Sequence, residues 1–120
     1  MNNRALTKAF ACVLAILTVG LLVGHTQAAP HRVEVHVKRF AFTPNEATVK
    51  RGEPVLLVLS SEDANHGLRF RQLNIDLRVN KGNSAQVQFT PDITGDFVGH
   101  CSVFCGSGHG GMTFTLHVVN

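Results

Sequence analysis

Four side chains that bind soft metal ions lie within twelve residues near the end of the sequence. Cys101, Cys105, His109 and Met112 are separated by four, four and three positions. Thiolates and thioethers favour Cu(I), imidazole suits both copper and zinc, and hard cations such as magnesium prefer oxygen ligands. Zinc would accept cysteine and histidine but gains little from a thioether. The segment therefore predicts a metal site that selects copper.

The glycines of the same segment predict a loop. The ligand spacing alone would also suit one face of a helix. Gly106, Gly108, Gly110 and Gly111 argue against a helix, because each glycine costs about 1 kcal/mol in a helix interior. Two alternatives to copper remain open, a redox disulfide and a structural zinc site. A disulfide between Cys101 and Cys105 would close a very small loop and would stabilise the fold little.

The number of copper ions depends on Cys101. Cys105, His109, Met112 and one upstream histidine already supply the thiolate, two imidazoles and weak axial thioether of a mononuclear blue-copper site. Two cysteines on one loop can instead bridge two copper ions, and their charges offset two of the roughly three positive charges of a mixed-valence pair. We choose His66 as the upstream ligand, because it lies in a predicted loop over 61–67 that directly follows a buried strand, where a ligand would be held rigidly.

The elements that must hold these ligands read as short strands. Apolar residues alternate with polar ones from Val33, and Val55 to Leu59 form a continuous apolar run, which is typical of a buried central strand. No segment of the predicted mature chain has a sustained helical period. Seven or so strands with turns between them predict an all-β, Greek-key β-sandwich. The clearest strands are expected over 33–37, 54–60, 73–79, 85–89, 96–100 and 112–118.

The N-terminus has the order of a secretory signal peptide. Arg4 and Lys8 precede an apolar run over 9–24, and small residues follow up to Ala28. We predict a signal peptide over 1–28, a single domain over 29–120 and a periplasmic or otherwise exported location. The alternative is an uncleaved membrane anchor, but the run is shorter than the roughly 20 apolar residues that cross a bilayer as a helix.

Charge excludes one class of partner. Removal of 1–28 leaves nine basic against eight acidic residues. The basic pairs that remain have acidic residues between them, whereas nucleic acid requires a clustered basic face. We therefore expect no nucleic-acid partner, and a membrane partner only if the N-terminal segment stays uncleaved.

The segment 99–112, with Asp63-Ala64-Asn65-His66-Gly67 upstream, closely resembles the copper domain of cytochrome c oxidase subunit II and nitrous-oxide reductase. The resemblance spans roughly 33–118 and implies a cupredoxin sandwich with a dinuclear CuA centre. It implies that Cys101 and Cys105 bridge the two copper ions. The remaining ligands that it implies are terminal imidazoles, a weak thioether and a backbone carbonyl, from His66, His109, Met112 and Val103.

The resemblance further implies an electron carrier that performs no bond-making chemistry, so we do not expect an enzyme. Its partner would be a redox protein such as a c-type cytochrome, or a terminal oxidase or reductase. The chain contains no tryptophan or tyrosine, whereas oxidase subunit II typically receives electrons through an aromatic patch. The alternative is a copper-handling protein or chaperone that exchanges copper with a donor or acceptor.

Several other side chains carry weaker expectations. We expect Phe104 and the sandwich core to bury the metals, and Val103, where the family commonly has glutamate, to make their surroundings more apolar. Asp63 suits either a hydrogen bond that supports His66 or simple turn formation. Outward positions predict solvated side chains for His31, His36 and His117, and we expect His100 at the end of a strand and Arg69 and Arg71 on a solvated face.

Overall fold

The computed structural model describes residues 24, 25 and 27–120, and its strands form two sheets. One sheet has four strands in the order β2-β1-β4-β7, and the other has five in the order β3-β9-β8-β5-β6. This arrangement confirms the predicted all-β sandwich. The strands are β1 His31–Lys38, β2 Ala41–Thr43, β3 Glu46–Lys50, β4 Val55–Ser61, β5 His66–Phe70, β6 Ile75–Val79, β7 Ser84–Phe89, β8 Gly95–His100 and β9 Thr113–Val119.

Most of the predicted signal peptide, residues 1–28, lies outside the described residues. Across 24, 25 and 27–120, no helix has the length and hydropathy needed to span a membrane. The only helical elements of this part of the chain are two single 3₁₀ turns, Arg71–Leu73 and His109–Gly111.

The core forms because each sheet turns its apolar side chains towards the other. On β1, Val33, Val35 and Val37 are buried and the residues between them are exposed. β4 lies between β1 and β7 and is buried at five of its seven positions, as expected of a central strand. A ring from β9 joins the sheets, since Phe114 contacts Phe42 of one sheet and Phe70 of the other, both edge to face, at 6.4 and 6.1 Å between ring centroids.

The chain has nine strands in its described part, and the sequence pattern missed three of them, β2, β3 and β5. β6 also starts two residues later than predicted. The difference has a local cause, because a 3₁₀ turn ends at Leu73 and Asn74 then adopts the left-handed conformation, with φ 53°. Asparagine tolerates this conformation better than most residues.

The topology brings three strand ends together at one end of the sandwich. β1 pairs in parallel with β4, so both strands end at the same edge. In the other sheet, β8 ends at His100, whose cross-strand partner is Arg69 of β5. The loop after β4, which leads to His66 at the start of β5, and the loop after β8, which carries the downstream predicted ligands, lie at this end of the sandwich.

His117 on β9 is less exposed than predicted and links three strands. Its Nδ1 lies 2.6 Å from an oxygen of Asp96 on β8, and its Nε2 lies 3.2 Å from an oxygen of Glu46 on β3. The Asp96 and Glu46 carboxylates, in that order of importance, raise the pKa of His117 above its ordinary value of 6.5. The charged imidazole thus favours the folded chain.

We expect Gly99→Ala to destabilise the sandwich. A Cβ atom at Gly99 would lie 2.7 Å from Leu68 Cδ1 and 2.8 Å from the ring of Phe70, both of which are buried. Overpacking of this kind costs about 1–3 kcal/mol, measurable by urea denaturation of the metal-free chain. Gly110→Ala is the control, because a Cβ atom there meets nothing within 4 Å. Equal stability of the two variants would contradict the packing that we describe.

We expect His117 to make folding stability depend on pH. Because its pKa is raised in the folded chain, its contribution is fully present below pH 6.5 and declines as the pH rises through the folded-state pKa. The free energy of unfolding, measured between about pH 5 and 9, should lose this component in His117→Gln and retain part of it in Asp96→Asn. An NMR titration in which the imidazole titrates at or below 6.5 would be inconsistent with the two contacts.

Candidate metal centre

The two loops bring three of the predicted ligands into one buried cluster. The ligand atoms of His66, Cys101 and Cys105 all lie within 4.8 Å of one another, and the three residues are buried. His66 is the first residue of β5, and Cys101 directly follows β8. The upstream ligand therefore belongs to the start of a strand, and not to the loop in which the sequence analysis placed it.

The other three predicted groups surround the same cluster. The sulfur of Cys105 lies 3.5 Å from Met112 Sδ and 3.8 Å from His109 Nδ1. The thiol of Cys101 lies 3.3 Å from the carbonyl oxygen of Val103. The structure thus gathers all six residues named from the sequence, although their assignment as ligands stays a prediction.

The ligand loop, residues 101–112, contains turns that bend it. The backbone N–H of His109 bonds to the carbonyl of Gly106, and that of Met112 bonds to His109, which forms the 3₁₀ turn. Gly106 has φ 141°, a backbone conformation that glycine adopts readily. The N–H of Cys101 then bonds to the carbonyl of Met112 and closes the base of the loop, which places the first and last sulfur ligands side by side.

Asp63 fixes the orientation of the His66 ring. Its Oδ1 lies 2.9 Å from His66 Nε2, so Nδ1 is the nitrogen that faces the cluster, 4.0 Å from the sulfur of Cys101. The backbone N–H of Arg39 is the main cause that lowers the pKa of Asp63 to about 2, and His66 and Ser61 add to it. Asp63 is therefore ionised at neutral pH, and it plays the supporting role that the sequence left open against turn formation.

The Cys105 thiol lies in an environment that disfavours its charged form without a metal. Burial is the main cause that raises the pKa of the Cys105 thiol, the neighbouring Cys101 adds to it, and Arg39 opposes it. Both cysteines are free thiols. A cation that binds here must displace thiol protons, and it would then neutralise two adjacent thiolates.

The donor chemistry fits copper. Two thiols, two imidazole nitrogens and a thioether are soft or borderline ligands, and the sulfur atoms are buried together. The part of the chain that the structure describes offers no second group of at least three histidine, cysteine or carboxylate ligands with comparable proximity. Zinc would find only part of this set useful, since a thioether adds little to its coordination.

Phe104 does not cover the cluster, and that expectation was wrong. Its side chain is 79% exposed, and its ring tilts against that of His109 at 5.6 Å between centroids. The next residue, Cys105, is buried in the sulfur cluster, whereas the phenyl ring of Phe104 is left on the outside. A half-buried imidazole and an exposed ring are consequently the parts of the site that are nearest to solvent.

Arg39, which was not among the predicted site residues, makes two contacts with the site. Arg39 follows β1, and its Nε donates a hydrogen bond to the carbonyl of Cys105 at 2.7 Å. Its backbone N–H donates to Asp63 Oδ2 at 2.8 Å. The sequence offered only a basic pair, Lys38-Arg39, about 60 positions before the ligand loop, so no local pattern could reveal these contacts.

Comparison with known proteins agrees with the fold. The family described as Cupredoxin-like domain matches residues 10–113. Cytochrome c oxidase subunit 2 of Thermus thermophilus is 32% identical over 77% of this chain and 70% of its own length. Nitrous-oxide reductase of Cupriavidus necator is 34% identical over 58% of this chain but only 11% of its own length.

Solved structures show the same fold at lower identity. The periplasmic domain of subunit II of cytochrome oxidase from Bradyrhizobium japonicum has a TM-score of 0.69 at 18% identity, over 78% of this chain and 86% of that one. Auracyanin A, a blue copper protein from Chloroflexus aurantiacus, has a TM-score of 0.64 at 18% identity, over 76% of this chain and all of that one. With the family match over most of its length, this chain belongs to the cupredoxin-like domain family.

Proposed function

We propose that the chain is an exported electron carrier with a dinuclear CuA-type copper centre. The observation that supports this most directly is the buried cluster of His66, Cys101 and Cys105. Two adjacent thiols exceed what one blue-copper ion needs, and oxidase subunit 2 and nitrous-oxide reductase are among the relatives of the chain. The proposed ligands are His66, Cys101, Val103, Cys105, His109 and Met112.

The chain would serve electron transfer by holding its ligands in place. When bound, a mixed-valence copper pair would accept and donate a single electron that both metals share. Asp63 keeps the His66 ring oriented, and the turns within the ligand loop hold His109 and Met112 near Cys105. Ligands fixed before the reaction move little when the charge of the metals changes, which favours fast electron exchange. We propose no bond-making chemistry for the site.

The proposed partner is a redox protein such as a c-type cytochrome, or a terminal oxidase or reductase. Phe104 and His109 form the solvent-facing side of the site, so a partner could approach the metals there. A periplasmic location follows from the same hypothesis, in which a domain over 29–120 remains after removal of the signal peptide over 1–28.

Copper content and electron paramagnetic resonance test the proposal. We expect the chain to bind two copper ions that share one unpaired electron. We expect Cys101→Ser to lose the shared electron and at least one copper, because only one bridging thiolate remains. His36→Gln is the matched control, since His36 is exposed and bonds to Ser60 on the outer face. A single copper in the unchanged chain, or zinc in its place, would refute the dinuclear centre.

Copper handling is the second candidate, and the absence of tryptophan and tyrosine favours it. A chaperone would release copper readily to an acceptor, whereas a carrier would exchange electrons quickly and copper slowly. Transfer of Cu(I) to a chelator, compared with the rate of electron self-exchange on the same preparation, separates the two functions.

We expect Asp63→Asn to weaken copper binding about 10- to 100-fold, as is usual when a carboxylate that orients a ligating histidine is lost. The amide keeps the shape of the side chain but removes the charge that faces His66 Nε2. Competition with a calibrated copper chelator measures the affinity. Glu62→Gln is the control, because Glu62 is the adjacent exposed carboxylate. An unchanged affinity in Asp63→Asn would mean that the protein does not need this hydrogen bond.

A further inference from the structure

We infer that the turn between β1 and β2, residues Arg39 and Phe40, positions the metal centre, in addition to Asp63 and the turns within the ligand loop. This turn supplies none of the proposed ligands. It contacts the β4–β5 loop, which leads to His66, and the loop that carries the other proposed ligands, through two hydrogen bonds and one aromatic ring. The inference rests on the proposed function for its copper measurements and on the fold alone for its first test.

Arg39 joins the β4–β5 loop to the ligand loop, because its backbone and its side chain each donate a hydrogen bond. Its backbone N–H holds the carboxylate of Asp63, which in turn holds His66. Its guanidinium holds the backbone carbonyl of Cys105. A path of hydrogen bonds from His66 to Cys105 therefore runs through Asp63 and Arg39, and a shift of the turn would move both proposed ligands together.

A guanidinium is well suited to this position. Its donors are fixed in a plane, it remains charged at any physiological pH, and its bond to a carbonyl is charge-assisted. The positive charge lies beside the backbone carbonyl of Cys105. A lysine would keep the charge but would lose the fixed geometry of the donor.

Phe40 holds the glycine-rich half of the loop by its shape. A Cβ atom on Gly108 would lie 2.5 Å from the Phe40 ring, and one on Gly106 would lie 2.9 Å from it. The ring thus occupies the space that any other side chain at these two positions would need. This contact explains why glycine stands at both positions, which precede the candidate ligand His109, and why Phe40 is only 42% exposed at a turn.

The first test uses the metal-free full chain and needs no copper. Amide hydrogen exchange of His109, Gly111 and Met112 reports on the loop, because their N–H groups form its internal turns. In Arg39→Gln and in Phe40→Ala we expect these amides to exchange about five- to tenfold faster, the size expected when one ordinary hydrogen bond or packing contact is lost. Lys38→Gln removes a neighbouring charge and should leave the rates unchanged.

Conservative variants keep the test decisive if the first ones fold poorly. Arg39→Lys should accelerate exchange as Arg39→Gln does, since a lysine cannot reproduce the guanidinium geometry. Phe40→Leu should restore much of the protection that Phe40→Ala loses. Unchanged exchange in Arg39→Gln and Phe40→Ala, or equal acceleration in Lys38→Gln, would overturn the inference.

The second test uses the copper-loaded chain and separates charge from geometry. Loss of a positive charge near the ligands favours the oxidised state, so Arg39→Gln should lower the reduction potential while Arg39→Lys keeps it near the original value. Both variants should release copper to a chelator about five- to tenfold faster. Equal potentials and equal release rates in all variants would overturn the inference. A chain that binds no copper pair would refute the proposed function, while the exchange result would still decide the role of the turn.

Discussion

The structure depends on bringing two thiols and an imidazole together out of water. Cys101 and Cys105 arrive from the end of β8, and His66 arrives from the start of β5. Buried polar groups of this kind are costly unless hydrogen bonds or a cation compensate them. The surroundings supply the hydrogen bonds: Asp63 accepts one from Nε2 of the imidazole, and no buried side-chain nitrogen or oxygen atom of the described residues is left without a partner. A bound cation would supply the compensation that the two buried thiols still lack.

The core fixes where these groups meet. Phe114 follows Met112 by two residues and contacts rings from both sheets. Because the side chains of Met112 and Phe114 are both buried, the last ligand and the central core residue are parts of one packed unit. The ligand loop is thus anchored at one end by the core, at its base by the bond between Cys101 and Met112, and along its glycine-rich half by Phe40.

The sequence was most informative where chemistry and periodicity coincide. Cys101, Cys105, His109 and Met112 could be grouped because they are close along the chain, and His66 could be added because it follows an apolar strand. Alternation also located β1 and β9, and a continuous apolar run located β4. Short strands such as β2 carry too few residues for a pattern to emerge.

Phe104 was misplaced because an aromatic residue within a ligand segment suggests burial. Its exposure depends on the direction of the backbone, which composition does not predict. Arg39 contacts Asp63 at a distance of 24 positions, and Arg39 and Phe40 contact the ligand loop more than 60 positions away, so only the folded topology could connect them.

The position of β9 governs when the site can form. β9 lies between β3 and β8, and it pairs in parallel with β3 over contacts such as Glu46 with Thr115. Contacts between residues so distant in sequence close large loops and slow folding. Without β9, β3 has no neighbour in the five-stranded sheet, and the ligand loop directly precedes β9. The bond that closes the base of this loop joins Cys101 to Met112, so the loop can take its bent form only when β9 lies beside β8.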